Sequence, residues 1–257
     1  MSSSHLKETW QGFSATRVYL PLSMLSKRLR RFTRTLRGKR AKFAQITKLP
    51  AVSWKCCTRT RLPKIWETDK SNGNVRVSEL AVLAALAADC EAGASIFEIG
   101  TFDGRTTLNL AMNSPASCEV YTLDLPPDVE TKFEIAPGER HMIEKPVPGT
   151  RFEKHRASSP AVIARIHSLL GDSAAFDYTP YHGSCGLVFI DGSHAYDYAV
   201  SDTANALKLL KKGGVIVWHD YGVWEGVTRA LEEMAKGELR GLRHIRGTTL
   251  AIWRDEA

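Results

Sequence analysis

The sequence has no apolar run long enough to cross a bilayer, which takes about 20 residues. It has no internal repeat, and that excludes solenoids and propellers. Its five cysteines (Cys56, Cys57, Cys90, Cys118 and Cys185) are odd in number and show no C-x-x-C spacing. This argues against a zinc finger and a disulfide framework, and it points to a reducing compartment. The G-x-G-x-x-G fingerprint of dinucleotide binding is missing, so nicotinamide chemistry is discounted. No secretory apolar region is evident. One further scarcity is local: up to Lys64 the only acid is Glu8.

Against that single acid stand 16 Lys and Arg, so residues 1–64 carry +15. The remainder carries −8, which makes the net charge +7. The basicity therefore belongs to an N-terminal extension, residues 1–64, and residues 65–257 form the main domain. A chain of 257 residues holds one sizeable domain plus such an extension. Within the extension, Leu22, Leu25, Leu29, Phe32 and Leu36 recur at three- and four-residue steps, the apolar stripe of a helix. Pro21 and Ser23 suit its start. Lys27, Arg28, Arg30, Arg31, Arg34 and Arg37 cover much of the remaining surface.

A basic amphipathic helix fits several partners. Residues 21–42 suit contact with a membrane surface. They equally suit docking on their own domain or on a sister subunit in a homo-oligomer, and nucleic acid is the less favoured partner. An arginine-rich, acid-poor start also fits an organelle transit peptide in a eukaryotic source. The expected location is cytoplasmic, peripheral to a membrane if the helix docks there. The first 15 or so residues have a composition that allows disorder.

The most informative segment is Ile96-Phe97-Glu98-Ile99-Gly100-Thr101-Phe102-Asp103-Gly104-Arg105-Thr106-Thr107. It reads as strand, tight turn and helix. Gly100 and Gly104 would let the backbone pass close under a ligand, at the strand end where open α/β sheets bind one. The pattern is E-x-G-x-x-x-G. Glu98 before the turn suits a cationic or amino-bearing ligand better than a pyrophosphate. The alternative is an ordinary strand–helix turn.

Other strands end in the same way. Val120-Tyr121-Thr122-Leu123-Asp124-Leu125 places a carboxylate about 20 residues past the glycines, where it can hold a ribose hydroxyl pair. Leu187-Val188-Phe189-Ile190 leads to Asp191-Gly192-Ser193-His194. A helix to Leu210 follows, and then Gly213-Gly214-Val215-Ile216-Val217-Trp218-His219-Asp220-Tyr221. Four strands thus deliver ionisable residues to one edge of a parallel sheet.

From Val75 to Arg254 the chain resembles the class I S-adenosylmethionine-dependent methyltransferases. It is similar to the small-molecule O-methyltransferase branch with F-x-D-G-S-H and a later W-H-D. The ordered set E-I-G-T-F-D-G-R-T-T, Asp124, L-L-G-D-S, F-I-D-G-S-H-A-Y and L-K-K-G-G-V-I-V-W-H-D-Y carries the resemblance. It implies an α/β fold with a doubly wound, mostly parallel, seven-stranded Rossmann-like sheet. That sheet ends in a C-terminal antiparallel hairpin, here Leu242 to Arg246 and Thr249 to Trp253. The implied cofactor is S-adenosyl-L-methionine. The implied partner is a small-molecule or glycan acceptor.

The resemblance also implies site residues. Glu98, Gly100, Thr101 and Gly104 match the motif beside the methionine part of the cofactor. Asp124 matches the ribose-binding acid, Asp172 and Ser173 border the adenine, and Asp191 lies beside the reacting centre. In metal-dependent relatives, the positions of Asp191, His219 and Asp220 hold a divalent cation. Histidine at 219 departs from the usual Asp, Glu or Asn, and imidazole suits zinc, manganese or iron better than magnesium.

Catalysis then has two routes. A metal at Asp191 and Asp220 could acidify the acceptor hydroxyl, or His194 or His219 could take its proton directly. The fourth strand lacks [N/D]-P-P-[Y/F], which speaks against methylation of exocyclic amines but leaves RNA 2′-O-methylation open. A metal-dependent hydroxylase or an inactive cofactor-binding protein on the same fold is the remaining alternative.

The long connection 126–158 has five prolines and reads as a lid, with Arg140, His141 and Arg151 as candidates for substrate selection. Helices are expected over Val77–Cys90, Thr106–Met112, Ser159–His167 and Glu225–Lys236. Tyr196 and Tyr221 are expected as pocket walls.

Overall fold

Apolar runs rich in Val, Ile and Phe form the parallel centre of one sheet, where helices cover both faces. The computed structural model describes residues 3–25, 29, 47–69, 75–127, 129–140 and 148–255. The central strands are β2 (Ser95–Ile99), β3 (Val120–Asp124), β4 (Ile166–Leu170), β5 (Cys185–Ile190) and β6 (Leu210–Trp218), after a first, short strand β1 (Ala51–Val52). The C-terminal hairpin is β7 (Arg243–Ile245) and β8 (Ala251–Arg254). The order across the sheet is β1-β7-β8-β6-β5-β2-β3-β4, and only β8 runs antiparallel to its neighbours.

Alternation along β2 divides the core. Ile96 packs with the alanine- and leucine-rich helix α3 (Val77–Ala88), which follows a short helix α2 (Trp54–Cys57). Phe97 and Ile99 pack on the other face with residues of α7 (Tyr196–Leu209) and α8 (Glu225–Met234). Between β2 and β4 lie α4 (Arg105–Asn113), α5 (Phe152–Arg156) and α6 (Pro160–Ile163).

Three differences from the sequence reading have local causes. The sheet has eight strands rather than seven, because Ala51 and Val52 of the N-terminal extension pair with His244 and Ile245 at the edge. Residues 159–167 are not one helix. α6 stops after one turn, and His167 enters β4 in register with Tyr121. The N-terminal helix starts well before Pro21, since α1 spans Ser3–Ser14. It passes through a π-helical turn, Ala15–Tyr19, into helical residues 20–25. A proline crowds the carbonyl four residues before it, and the widened turn just ahead of Pro21 relieves that clash. Most of the expected basic helix, residues 26–28 and 30–46, lies outside the described residues.

Gly100 holds the sheet edge together. Its φ is +100°, and an added Cβ would lie 2.2 Å from the backbone oxygen of Asp191. Here the glycine lets β2 and β5 close on each other at their carboxyl ends. Gly100→Ala is expected to lower the unfolding free energy by at least about 2 kcal/mol in urea denaturation, through left-handed strain plus the clash. Wild-type stability in that variant would contradict the close approach.

Candidate functional site

A cavity of about 310 Å³ opens at the carboxyl edge of the sheet, the position where such sheets bind ligands. The ends of β2 (Gly100, Phe102), β3 (Asp124), β4 (Asp172, Ser173), β5 (Asp191, His194) and β6 (His219, Asp220) all line it. Six carboxylates face it, from Glu79, Asp124, Glu139, Asp172, Asp191 and Asp220, against Arg76 and the two histidines. Such a cleft concentrates cations.

Asp124 is oriented by backbone donors, Phe102 N at 2.6 Å and Leu125 N at 2.9 Å. Phe102 adopts φ of +52°, unusual for a bulky side chain. Asp172 accepts from Lys132 N (2.6 Å), Ala174 N (3.0 Å) and the Tyr198 hydroxyl (2.9 Å). Behind Gly192, the buried Asp202 is pushed up to about 7 by burial.

Glu98, Thr101 and Gly104 sit one layer behind this wall and do not line the cavity. Glu98 points from β2 toward α4, where it accepts from the Thr107 hydroxyl and from Thr122 Oγ1 (2.6 Å). Burial pushes its carboxyl up to about 8. Thr101 Oγ1 bonds Thr122 Oγ1 at 2.6 Å. Gly104, at φ +86°, leaves room for the Phe152 ring, which an added Cβ would meet at 2.4 Å. These residues build the floor and hold the turn.

One end of the cavity is a chain of alternating carboxylates and imidazoles. His219 Nδ1 lies 2.8 Å from Asp191 Oδ1 and 3.4 Å from Asp220 Oδ2, and its Nε2 lies 3.4 Å from Glu79 Oε2. His194 Nε2 lies 2.7 Å from Asp220 Oδ2, and its Nδ1 lies 2.7 Å from Glu139 Oε1. Trp224 stacks on the His194 ring at 4.4 Å. Asp220 itself has φ of +59°, a strained backbone of the kind found at functional sites.

The charges follow. Burial alone would lower the His194 pKa, but its bonds to Asp220 and Glu139 outweigh that and raise it to about 9. His219 likewise rises well above the ordinary value, because Asp191 and Asp220 overcome burial. Asp191 is raised by burial. Asp220 is held below the usual range, since His219 and His194 overcome its burial. Glu79 falls to about 2 because its bond to His219 and the neighbouring charges overcome its burial. In this arrangement His194 is a held imidazolium with both nitrogens committed, rather than a free proton acceptor.

Sequence reasoning missed Glu79, Glu139 and Trp224. Glu79 sits near the start of α3 and accepts from Thr249 N (2.7 Å) and Arg76 N (2.9 Å). Glu139 lies in the long connection and also takes bonds from Ser193 Oγ (3.0 Å) and His194 N (2.9 Å). The connection does cover the cavity, through Thr131, Ile135, Glu139 and Pro148. Its expected selectors lie elsewhere. Arg140 is exposed, His141 is outside the described residues, and Arg151 is paired with Glu67 (2.7 Å) and Asp103 (2.8 Å). Tyr196 and Tyr221 are not cavity walls. Tyr196 bonds Glu233, and Tyr221 bonds Leu49 N and Glu232.

Asp191, His219 and Asp220 bring one ligand atom each within 4.8 Å of one another. This donor set fits a divalent metal. One imidazole and two carboxylates suit manganese, iron or zinc better than an all-oxygen magnesium site. Glu79 on Nε2 leaves Nδ1 facing the two carboxylates, the outer support usual for a ligating histidine.

Residues 97–221 match a family model described as a methyltransferase domain, Methyltransf_24. Over that stretch the chain is similar to methyltransferase domains, and it shares its fold with solved methyltransferases. Among solved structures, the O-methyltransferase NovP is 15% identical, with a TM-score of 0.56, covering 71% of this chain and 81% of its own. The SAH-bound methyltransferase PaMTH1 of Podospora anserina is 14% identical, with a TM-score of 0.53 and coverages of 72% and 81%. The cofactor-bound Rv0187 from MTB is 20% identical, with a TM-score of 0.50 and coverages of 73% and 84%. No curated protein matches the sequence.

The clamp of Glu139 and Asp220 on the His194 ring makes a pH-dependent contribution to stability. The His194 pKa of about 9 lies above its ordinary 6.5. The stabilisation is therefore full below about pH 6.5 and is lost as pH rises through about 9. Glu139→Gln is expected to lower the His194 pKa, read by imidazole NMR, and to destabilise the protein more at pH 6 than at pH 10. An unchanged His194 titration would contradict the clamp.

Proposed function

We propose that this protein transfers the methyl group of S-adenosylmethionine to a hydroxyl oxygen of a small molecule or glycan, with a divalent metal at Asp191, His219 and Asp220. The observation that carries the reading is the acidic cavity into which Asp124 and that trio converge from the ends of β3, β5 and β6 on one sheet edge. S-adenosylmethionine, when bound, supplies a methyl group on a positively charged sulfur, and a metal, when bound, makes an acceptor hydroxyl more acidic and fixes its position.

The chain's own residues do the rest. Asp124 takes the ribose hydroxyls, and Asp172 and Ser173 border the base. The carboxylates around the reacting end favour a sulfonium electrostatically. Methyl transfer breaks the sulfur–carbon bond and forms an oxygen–carbon bond, and the hydroxyl proton leaves. Without a metal, Asp191, whose basicity burial increases, is the acceptor assigned to that proton, with His219 beside it; with a metal held by the trio, the acidified proton would leave to water. His194 is a positioning group. It holds Asp220 and pins the connection that closes over the acceptor, and so aligns the reactants.

Isothermal titration with S-adenosylhomocysteine tests the cofactor. The wild type is expected to bind, and Asp124→Ala to weaken binding by about 10- to 100-fold, the loss of one or two hydrogen bonds to a charged group. Manganese binding, read by electron paramagnetic resonance, should be lost in Asp191→Ala. Failure of the wild type to bind S-adenosylhomocysteine would overturn the reading. Failure to bind manganese would remove the metal alone.

A further inference from the structure

The N-terminal helix is apolar on two faces. One face is docked. Gly12 lies so close to Pro63 that an added Cβ would meet its carbonyl, and Ala15 and Leu20 are buried in the core. Trp66 Nε1 donates to Glu8 at 2.7 Å, and Ser23 Oγ donates to the Gly247 carbonyl at 3.2 Å. The helix is thus fixed on the domain, with one side committed.

The other side carries Leu6, Trp10, Phe13, Val18, Leu22 and Leu25, each between 39% and 66% exposed. Their steps are four, three, five, four and three residues. The step of five falls on the π turn Ala15–Tyr19, whose bonds close from i to i+5. The turn therefore keeps Val18, Leu22 and Leu25 in line with Leu6, Trp10 and Phe13. Surface helices ordinarily turn polar residues outward, and a continuous exposed apolar row marks a docking surface.

Charge identifies the occupant. Between residues 27 and 42, immediately after this row, stand nine Lys and Arg and no acid. No described helix is long and apolar enough to cross a membrane. We propose that this face lies in the surface of an anionic bilayer, with its leucines and Trp10 among the acyl chains and the basic run against the headgroups. Helices with an apolar face and Lys/Arg-rich flanks bind in this way, and anionic lipid adds to the attraction. The docked helix also contacts Gly247, two residues from the cavity-lining Thr249. Docking would therefore hold that end of the cavity near the lipid.

Cosedimentation of the full chain with phosphatidylcholine vesicles, with and without phosphatidylglycerol, tests this. Binding is expected to the anionic vesicles, weakened by salt. Combined Trp10→Gln, Leu22→Gln and Leu25→Gln should weaken it by about tenfold or more. These positions are exposed, so the variant should keep its thermal midpoint and its affinity for S-adenosylhomocysteine. Three results would overturn the proposal: no binding to anionic vesicles, binding that the triple variant retains, or a dimer in ultracentrifugation that the triple variant dissociates. The last would assign the face to a second copy of the chain.

Discussion

The chain Glu139–His194–Asp220–His219–Asp191, with Glu79 branching from His219, is the interaction on which the carboxyl edge of the sheet depends. Four carboxylates and two imidazoles are drawn largely out of water there. Any one of them alone would be costly, and removing one partner of such a buried pair typically costs about 3–5 kcal/mol. Alternation of sign solves this, because each imidazolium lies between two carboxylates. The partners come from separate places: α3, the end of β5, the end of β6 and the long connection. Satisfying the charges therefore fixes the positions of all four. Glu79 extends the constraint to the β7–β8 turn through Thr249.

That network explains what could be read in the sequence and what could not. The strand ends were legible because apolar runs stopping at Asp124, Asp191 and His219-Asp220 are local patterns. The parallel order and terminal hairpin followed from the resemblance, and the sheet has them. Glu79 and Glu139 were not legible. Each is one acid among many in its segment, and its role arises only when chain 55 to 170 residues away folds against it. Burial was hidden in the same way. Glu98 looked like a ligand contact because it precedes the glycines, yet Thr107 and Thr122 enclose it. The eighth strand was missed because two residues, Ala51 and Val52, leave no periodic signal.

The glycine turn illustrates a related point. A glycine motif at a strand end is usually explained by a ligand that needs room. Here the space at Gly100 is taken by the Asp191 backbone and that at Gly104 by Phe152. The turn is shaped first by the protein's own packing. Its service to a ligand is indirect: it brings β2 against β5, so that Asp191 stands beside Gly100 at the cavity wall. Phe102 carries the remaining strain, and its N–H orients Asp124.

The separation of charge along the chain belongs to the same logic. The cavity is acidic and suits a sulfonium, whereas the first 64 residues carry +15 and suit an anionic surface. Fields in water at physiological salt decay over about 8 Å, so the two regions act independently once they are more than a few such lengths apart. Interspersing the basic residues around the cleft would have weakened the attraction of a cationic cofactor. Interspersing acids in the arm would have weakened the attraction that the proposed bilayer contact requires. The single acid of the arm, Glu8, is instead turned onto the domain to hold Trp66. The outward surface of the helix is left to its apolar row.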